Sequence, residues 1–176
     1  METTTNVRFF TILDYDKEQD YLRKMHKKGW KFVALKGAMF YHFEKCDPED
    51  VIYQLDYNPE GIENKEEYVQ IFRDCGWEYL QDACGYSYFR KKAADMEGDE
   101  EIFCDDESRL QMLERVFKGR MIPLLIIFGC ILLPMFFRNL SQGNRFAIFG
   151  IGFMLILYLW LFAGFVRRYL SLKGRR

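Results

Sequence analysis

The sequence predicts an α+β protein: duplicated strand–helix–strand–strand units forming one antiparallel sheet with two helices on one face, followed by a two-helix transmembrane hairpin. Three observations predict it. The same order of strand-like and helix-like patterns runs over residues 7–45 and again over 51–91. Both helical stretches end in Gly-Trp, at Gly29-Trp30 and Gly76-Trp77. All 26 acidic residues precede Met121, and the two apolar runs beyond it match the ~20 residues a helix needs to cross hydrocarbon.

VRFFTIL at 7–13 is rich in β-branched and aromatic residues and reads as the first strand. Asp16 then serves as N-cap with Gln19 three residues on, and Tyr21, Leu22 and Met25 supply an apolar helix face. Gly29 fits a left-handed C-cap. KFVAL, a turn at Gly37 and MFYHFEK complete the first copy. The second opens with VIYQLDY at 51–57, and Asn64 caps its helix with Glu67 three residues on. Tyr68, Ile71, Phe72 and Cys75 form that helix's face, Gly76 ends it, and EYL, a turn at Gly85 and YSYFRKK follow. Two such copies can pair into one sheet of about six strands with both helices on the same face. Gly29, Trp30, Gly76 and Trp77 are structural residues in this scheme, the tryptophans plugging helix against sheet.

The chain is 18% aromatic, and in the soluble part many of these residues sit on the strands. Cross-strand packing in a core is the first use for them. A sheet face left open by the helices would also offer a flat, half-wet aromatic surface, which makes Tyr41, Tyr53, Asp56, Tyr57, Tyr86 and Tyr88 the candidate ligand-binding residues. Asp56 is included because a charge between Leu55 and Tyr57 on a strand needs a partner or water. Duplicated units of this kind are similar in architecture to the GyrI-like drug-binding domains, which gives an open face a use.

Residues 1–92 form the predicted soluble domain and 93–106 an acidic linker, whose IFC segment could add a small strand. Residues 107–120 form an amphipathic juxtamembrane helix, capped by Asp105 or Asp106 and striped by Leu110, Leu113, Val116 and Phe117. Transmembrane helices are expected at 121–137 and 146–166, with a basic tail at 167–176. Pro134 is expected to kink the far end of the first. Arg109, Arg115, Lys118 and Arg120 precede the first span, and Arg167, Arg168, Lys173, Arg175 and Arg176 follow the second. The connecting loop has only Arg138 and Arg145, so the positive-inside rule places a multi-pass protein in the cell membrane with both termini cytoplasmic. The N-terminal METTTNVRFF lacks the basic and apolar regions of a signal peptide. Five scattered cysteines without a CxxC pair read as reduced thiols.

Residues 1–120 carry 18 basic against 26 acidic residues, and such an acidic domain has no field to draw in nucleic acid. Phosphate-loop, dinucleotide, zinc-protease and nucleophile-elbow motifs are absent, so no enzyme activity, cofactor or metal is expected. Of the two histidines, His26 reads as a surface residue within the Lys24–Lys28 basic stretch and His42 as a strand residue.

YLRKMHKKGWKF, YHFEKCDPEDVIYQLDY, YVQIFRDCGWEY, YSYFRKKA and EIFCDDESRLQMLERV occur in this order over roughly residues 6–117. In these segments the chain resembles the bacterial family catalogued as domain of unknown function 2812. The resemblance implies C-terminal membrane spans and a regulatory setting, because genes of that family often neighbour those of PadR-type transcriptional regulators. It brings no catalytic residues. The function expected is a membrane-anchored cytoplasmic sensing or regulatory module, working with such a regulator or with a small ligand. The alternative is a structural accessory subunit of a transporter-like membrane complex.

Overall fold

The computed structural model describes residues 2–12, 14–58, 63–96 and 106–173, and side chains in all of these except 106–110 and Leu172. The IFC segment and most of the acidic linker lie outside the described residues, as do the Asp105 or Asp106 cap and the side chain of Leu110. The chain divides into two compact units, Met1–Cys104 and Asp105–Arg176.

In the first unit the order is β1 (Thr3–Val7), α1 (Tyr15–Lys27), β2 (Trp30–Lys36), β3 (Phe40–Lys45), β4 (Val51–Asp56), α2 (Lys65–Asp74), β5 (Glu78–Ala83) and β6 (Tyr86–Lys92). The class is α+β, but the single six-stranded sheet is replaced by two antiparallel three-stranded sheets, ordered β1-β3-β2 and β4-β6-β5. In each, the last strand of a half is central and pairs with both of its own neighbours. Strands β2 and β5 lie beside one another, yet no ladder joins them. Each carries a bulge, between Phe32 and Ala34 and between Tyr79 and Gln81. A bulge twists an edge and interrupts the regular row of donors and acceptors that a ladder requires.

The first strand is also displaced. Thr3–Val7 pairs with Glu44–Phe40, and the ladder ends where β3 begins. Beyond it Phe10 packs instead of pairing, 5.8 Å from Tyr21 and 5.9 Å from Tyr41, ring to ring. Helix α1 starts at Tyr15 rather than after an Asp16 cap. Asp14 occupies the cap position, and its carboxylate accepts from the Thr11 N–H and hydroxyl and from Lys17 Nζ.

Both helices on one face is the third correction. Tyr88 of β6 meets α1 through a hydrogen bond to Glu18, whereas Phe89 packs 4.2 Å from Phe72 of α2. Successive strand residues point to opposite faces, so α1 and α2 lie on opposite sides of the β4-β6-β5 sheet. Residues Tyr86, Ser87, Tyr88 and Phe89 are all buried, as a strand covered on both faces requires. Tyr68, Val69, Trp77 and Phe89 form the core on the α2 side. On the α1 side, Phe32 stacks on Tyr88 at 5.6 Å and meets Phe43 at 6.0 Å, so aromatic residues of both sheets share one core with Leu22.

The second unit is a helical hairpin. Helix α3 runs without a break over 106–142, with two π-helical turns, Phe117–Met121 and Phe128–Leu132. Each π turn ends two residues before a proline, Pro123 or Pro134. A proline inside a helix lacks an N–H and clashes with the carbonyl four residues back, and a wider turn accommodates both defects. The amphipathic 107–120 stretch is thus continuous with the apolar run. Gly143 (φ 68°) closes the helix, and Asn144 caps α4 (Arg145–Lys173) by accepting the Ala147 N–H at 3.3 Å. Gln111–Gln142 (32 residues) and Arg145–Ser171 (27 residues) are long and apolar enough to cross a membrane. Their apolar side chains are largely uncovered within the unit, as at Phe146, Phe149 and Trp160.

Candidate functional site

The six tyrosine and aspartate candidates do not form an open face. Tyr41, Tyr53, Asp56, Tyr57, Tyr86 and Tyr88 are each at most 5% exposed. The polar atoms of Tyr41, Tyr53, Asp56, Tyr86 and Tyr88 are engaged inside the unit. The hydroxyls of Tyr41 and Tyr88 both donate to Glu18 Oε1, at 2.7 and 2.5 Å. The Tyr53 hydroxyl lies 2.7 Å from His26 Nδ1 and accepts the Phe32 N–H at 3.3 Å. Tyr86 donates to the Ile12 carbonyl at 2.6 Å and meets Tyr57 edge-on at 5.5 Å. Asp56 accepts the Tyr68 hydroxyl at 2.8 Å.

The four structural candidates occupy matching places. Gly29 and Gly76 both take left-handed backbone, φ 80° and 78°, directly after α1 and α2. Trp77 is buried in the α2-side core. Trp30 is half-buried, with the Lys45 ammonium 4.6 Å above its ring.

His26 is the clearest departure. It is not a surface residue but 7% exposed, on the same helix face as Tyr15, Glu18 and Leu22. Spacings of three and four residues were the available signal. The surrounding lysines point elsewhere: Lys27 joins Arg23 in pairing with Asp50 just before β4. Burial holds the His26 pKa below its ordinary value, and the Arg90 charge pushes the same way. Burial raises Glu18 above the usual carboxylate range, although the Tyr88 and Tyr41 hydrogen bonds oppose it.

A concavity of about 480 Å³ opens beside His26, at the end of the unit where α1 and α2 terminate. Its lining includes Lys31, Arg90 and Lys92 together with Asp47, Glu49, Glu78 and Asp95. Arg90 grips Glu78 with two bonds of 2.7 and 2.8 Å, and Lys92 pairs with Glu49 at 2.9 Å. Both halves of the unit contribute walls, so no single stretch of sequence reveals the cavity. Its polar lining suits a small ligand carrying both signs of charge better than a flat apolar one. Among the described residues, no three His, Cys, Asp or Glu side chains gather in a way that could hold a metal ion.

The family model described as protein of unknown function (DUF2812) matches residues 14–126. The chain belongs to the DUF2812 family. That match takes in α1, both sheets apart from β1, and the start of the first apolar helix, so in DUF2812 the α+β unit and the helix entering the apolar run form one pattern. No curated protein and no solved structure matches the chain significantly.

Proposed function

We propose that this DUF2812 protein is a membrane-anchored, non-catalytic sensing module with two spans, both termini in the cytoplasm and a soluble unit built by internal duplication. The polar cavity is the observation that carries the reading. It is walled by residues from both halves and has room for a small molecule. The identical strand connectivity of the two sheets and the repeated left-handed glycine before each tryptophan support the duplication. The confinement of all acidic residues to positions before Met121, with basic residues flanking the apolar helices, supports the orientation.

A ligand in the cavity would touch α1 and the ends of both sheets, so binding could change the surface offered to a partner such as a PadR-type regulator. The tyrosine-lined face is withdrawn as the ligand site, because its hydroxyls already serve the core. Photo-cross-linking from positions 31 and 49 of the full chain in its native membrane tests the reading. Capture of a transcriptional regulator or a small metabolite there, lost on Arg90→Glu, is the expected result. Capture of transporter subunits from positions within 121–166 alone would favour the accessory-subunit alternative instead.

A further inference from the structure

We propose that the polar cavity takes a free amino acid or dipeptide, its carboxylate received by the Nε2–H of His26 and its ammonium by Asp47. The proposal rests on the sensing reading and names the ligand class of that same cavity. Most charged groups in the lining already serve one another or the fold. Arg90 holds Glu78, and Lys92 holds Glu49. Lys31 pairs with Glu44 at 3.0 Å, and Lys91 Nζ donates to the Cys75 carbonyl at 3.0 Å. Asp95 adds to the field on Lys92. Two groups of the lining differ. Among the described residues, neither His26 Nε2 nor the Asp47 carboxylate has a hydrogen-bond or ion-pair partner.

The His26 tautomer follows from the groups around Tyr53. The Tyr53 oxygen accepts the Phe32 N–H at 3.3 Å, and the Arg90 guanidinium, which can only donate, bonds to it as well. Two donors fill its lone pairs, so the hydroxyl proton is left for His26 Nδ1 at 2.7 Å. A neutral imidazole that accepts at Nδ1 carries its own proton at Nε2. Burial, and after it the Arg90 charge, hold the His26 pKa below 6.5, so the ring is neutral at pH 7. His26 is 7% exposed and lines the cavity, and a buried donor without an acceptor is costly. An anionic oxygen is the acceptor its surroundings favour, because Arg90, Lys31 and Lys92 act on the ring together and Glu49 opposes them. Asp47 lines the same cavity and is exposed, which suits an ammonium that keeps part of its hydration. About 480 Å³ accommodates both ends of one small zwitterion. An inorganic anion would leave Asp47 unanswered and bring like charge towards Glu49, Glu78 and Asp95.

The test uses the full chain in mild detergent with isotope-labelled histidine, and His42→Gln assigns the His26 signal. Long-range proton–nitrogen correlation should show His26 protonated at Nε2. The common L-amino acids and glycyl dipeptides are then titrated singly. At least one should bind, shift the Nε2 resonance and raise the melting temperature, while its methyl ester and its N-acetyl form do neither. Inorganic phosphate should not compete. Asp47→Asn alters an exposed, unbonded side chain, so it should leave the melting temperature of the free chain unchanged. It should weaken binding about fivefold, as the loss of an exposed ion pair does at its upper range. A proton at Nδ1, or undiminished binding of the methyl ester, of the N-acetyl form or by Asp47→Asn, would overturn the proposal. So would binding by none of the probes, which would leave the Nε2–H to water only. Photo-cross-linking from positions 31 and 49 separates the two failures. Capture of a regulator or another metabolite there, without any amino-acid response, fails this proposal and leaves the sensing reading standing; neither capture nor response fails both.

Discussion

Replacing Tyr88 by Phe removes a single hydroxyl from the core and leaves its ring, stacked on Phe32, in place. Glu18 is 7% exposed, and its Oε1 accepts from Tyr41 and Tyr88. A hydrogen bond to a charged group contributes about 1.5–3 kcal/mol net, and a domain of this size loses roughly 4–8 °C of Tm per kcal/mol. Tyr88→Phe should therefore lower the melting temperature of the first unit by roughly 6–24 °C when Glu18 is ionised. The assay is thermal unfolding of the full chain in detergent, followed by near-ultraviolet circular dichroism of its aromatic residues. The cost should shrink as pH falls. Burial raises the Glu18 pKa, so the folded state holds its proton more tightly than the unfolded state does. Stability linked to this group is complete below about 4.5, its ordinary value, and is lost as pH rises through the raised folded pKa. In a Glu18→Leu background the Tyr88 hydroxyl has no carboxylate to meet, and Tyr88→Phe should become neutral or stabilising. An equal cost in both backgrounds, or a fall below about 2 °C in the wild-type chain, would refute the claim that these tyrosines serve to solvate Glu18.

His26 should act with the opposite sign. Its pKa is lowered from 6.5, chiefly by burial, so its contribution is present above 6.5 and lost as pH falls through the folded value. Urea midpoints of His26→Gln should be flatter with pH than wild type across the mildly acidic range. Gly29→Ala and Gly76→Ala share the strain of left-handed backbone, about 1–2 kcal/mol each. A Cβ at Gly29 would stand 2.8 Å from the Cys46 carbonyl oxygen, whereas at Gly76 it meets the flexible Lys91 side chain at 3.4 Å. Gly29→Ala should thus be the more damaging by about 1 kcal/mol or more in the same melts, because the Cys46 N–H to Gly29 carbonyl bond must yield as well. Pro123→Ala should let Phe117–Met121 return to α-helix, rotating Phe117 by about 100° relative to the helix beyond it. Cross-linking between Phe117→Cys and Phe165→Cys, whose parent rings stack at 5.5 Å, should then fall several-fold.

Much of the element order was legible because it is local. Strands β2 to β6 and both helices follow from apolar periodicity and turn residues, and the left-handed glycines stand where Gly-Trp announces them. What was not legible depends on residues far apart in the chain. The bulges at β2 and β5 leave no mark in KFVAL or EYL, yet they coincide with two sheets standing where one was expected. VRFFTIL has the composition of a strand, but its ladder partner is already exhausted by Thr3–Val7. The cavity draws on positions from 26 to 95, and each of its charges alone resembles an ordinary surface residue.

The tyrosine excess shows how composition can be right about chemistry and wrong about place. Tyrosine in preference to phenylalanine implies hydroxyls with something to do, and a half-wet ligand face was one use for them. The structure supplies another. Helix α1 turns Glu18 and His26 inward on one face, two ionisable groups that an apolar core could not hold unaided. Tyr41 of β3 and Tyr88 of β6 reach Glu18, and Tyr53 of β4 reaches His26. The hydroxyls therefore come from strands of both sheets and converge on one helix. No ladder joins those sheets, so α1 and its tyrosine partners connect them, and disturbing Glu18 or His26 should be felt in both halves of the unit at once.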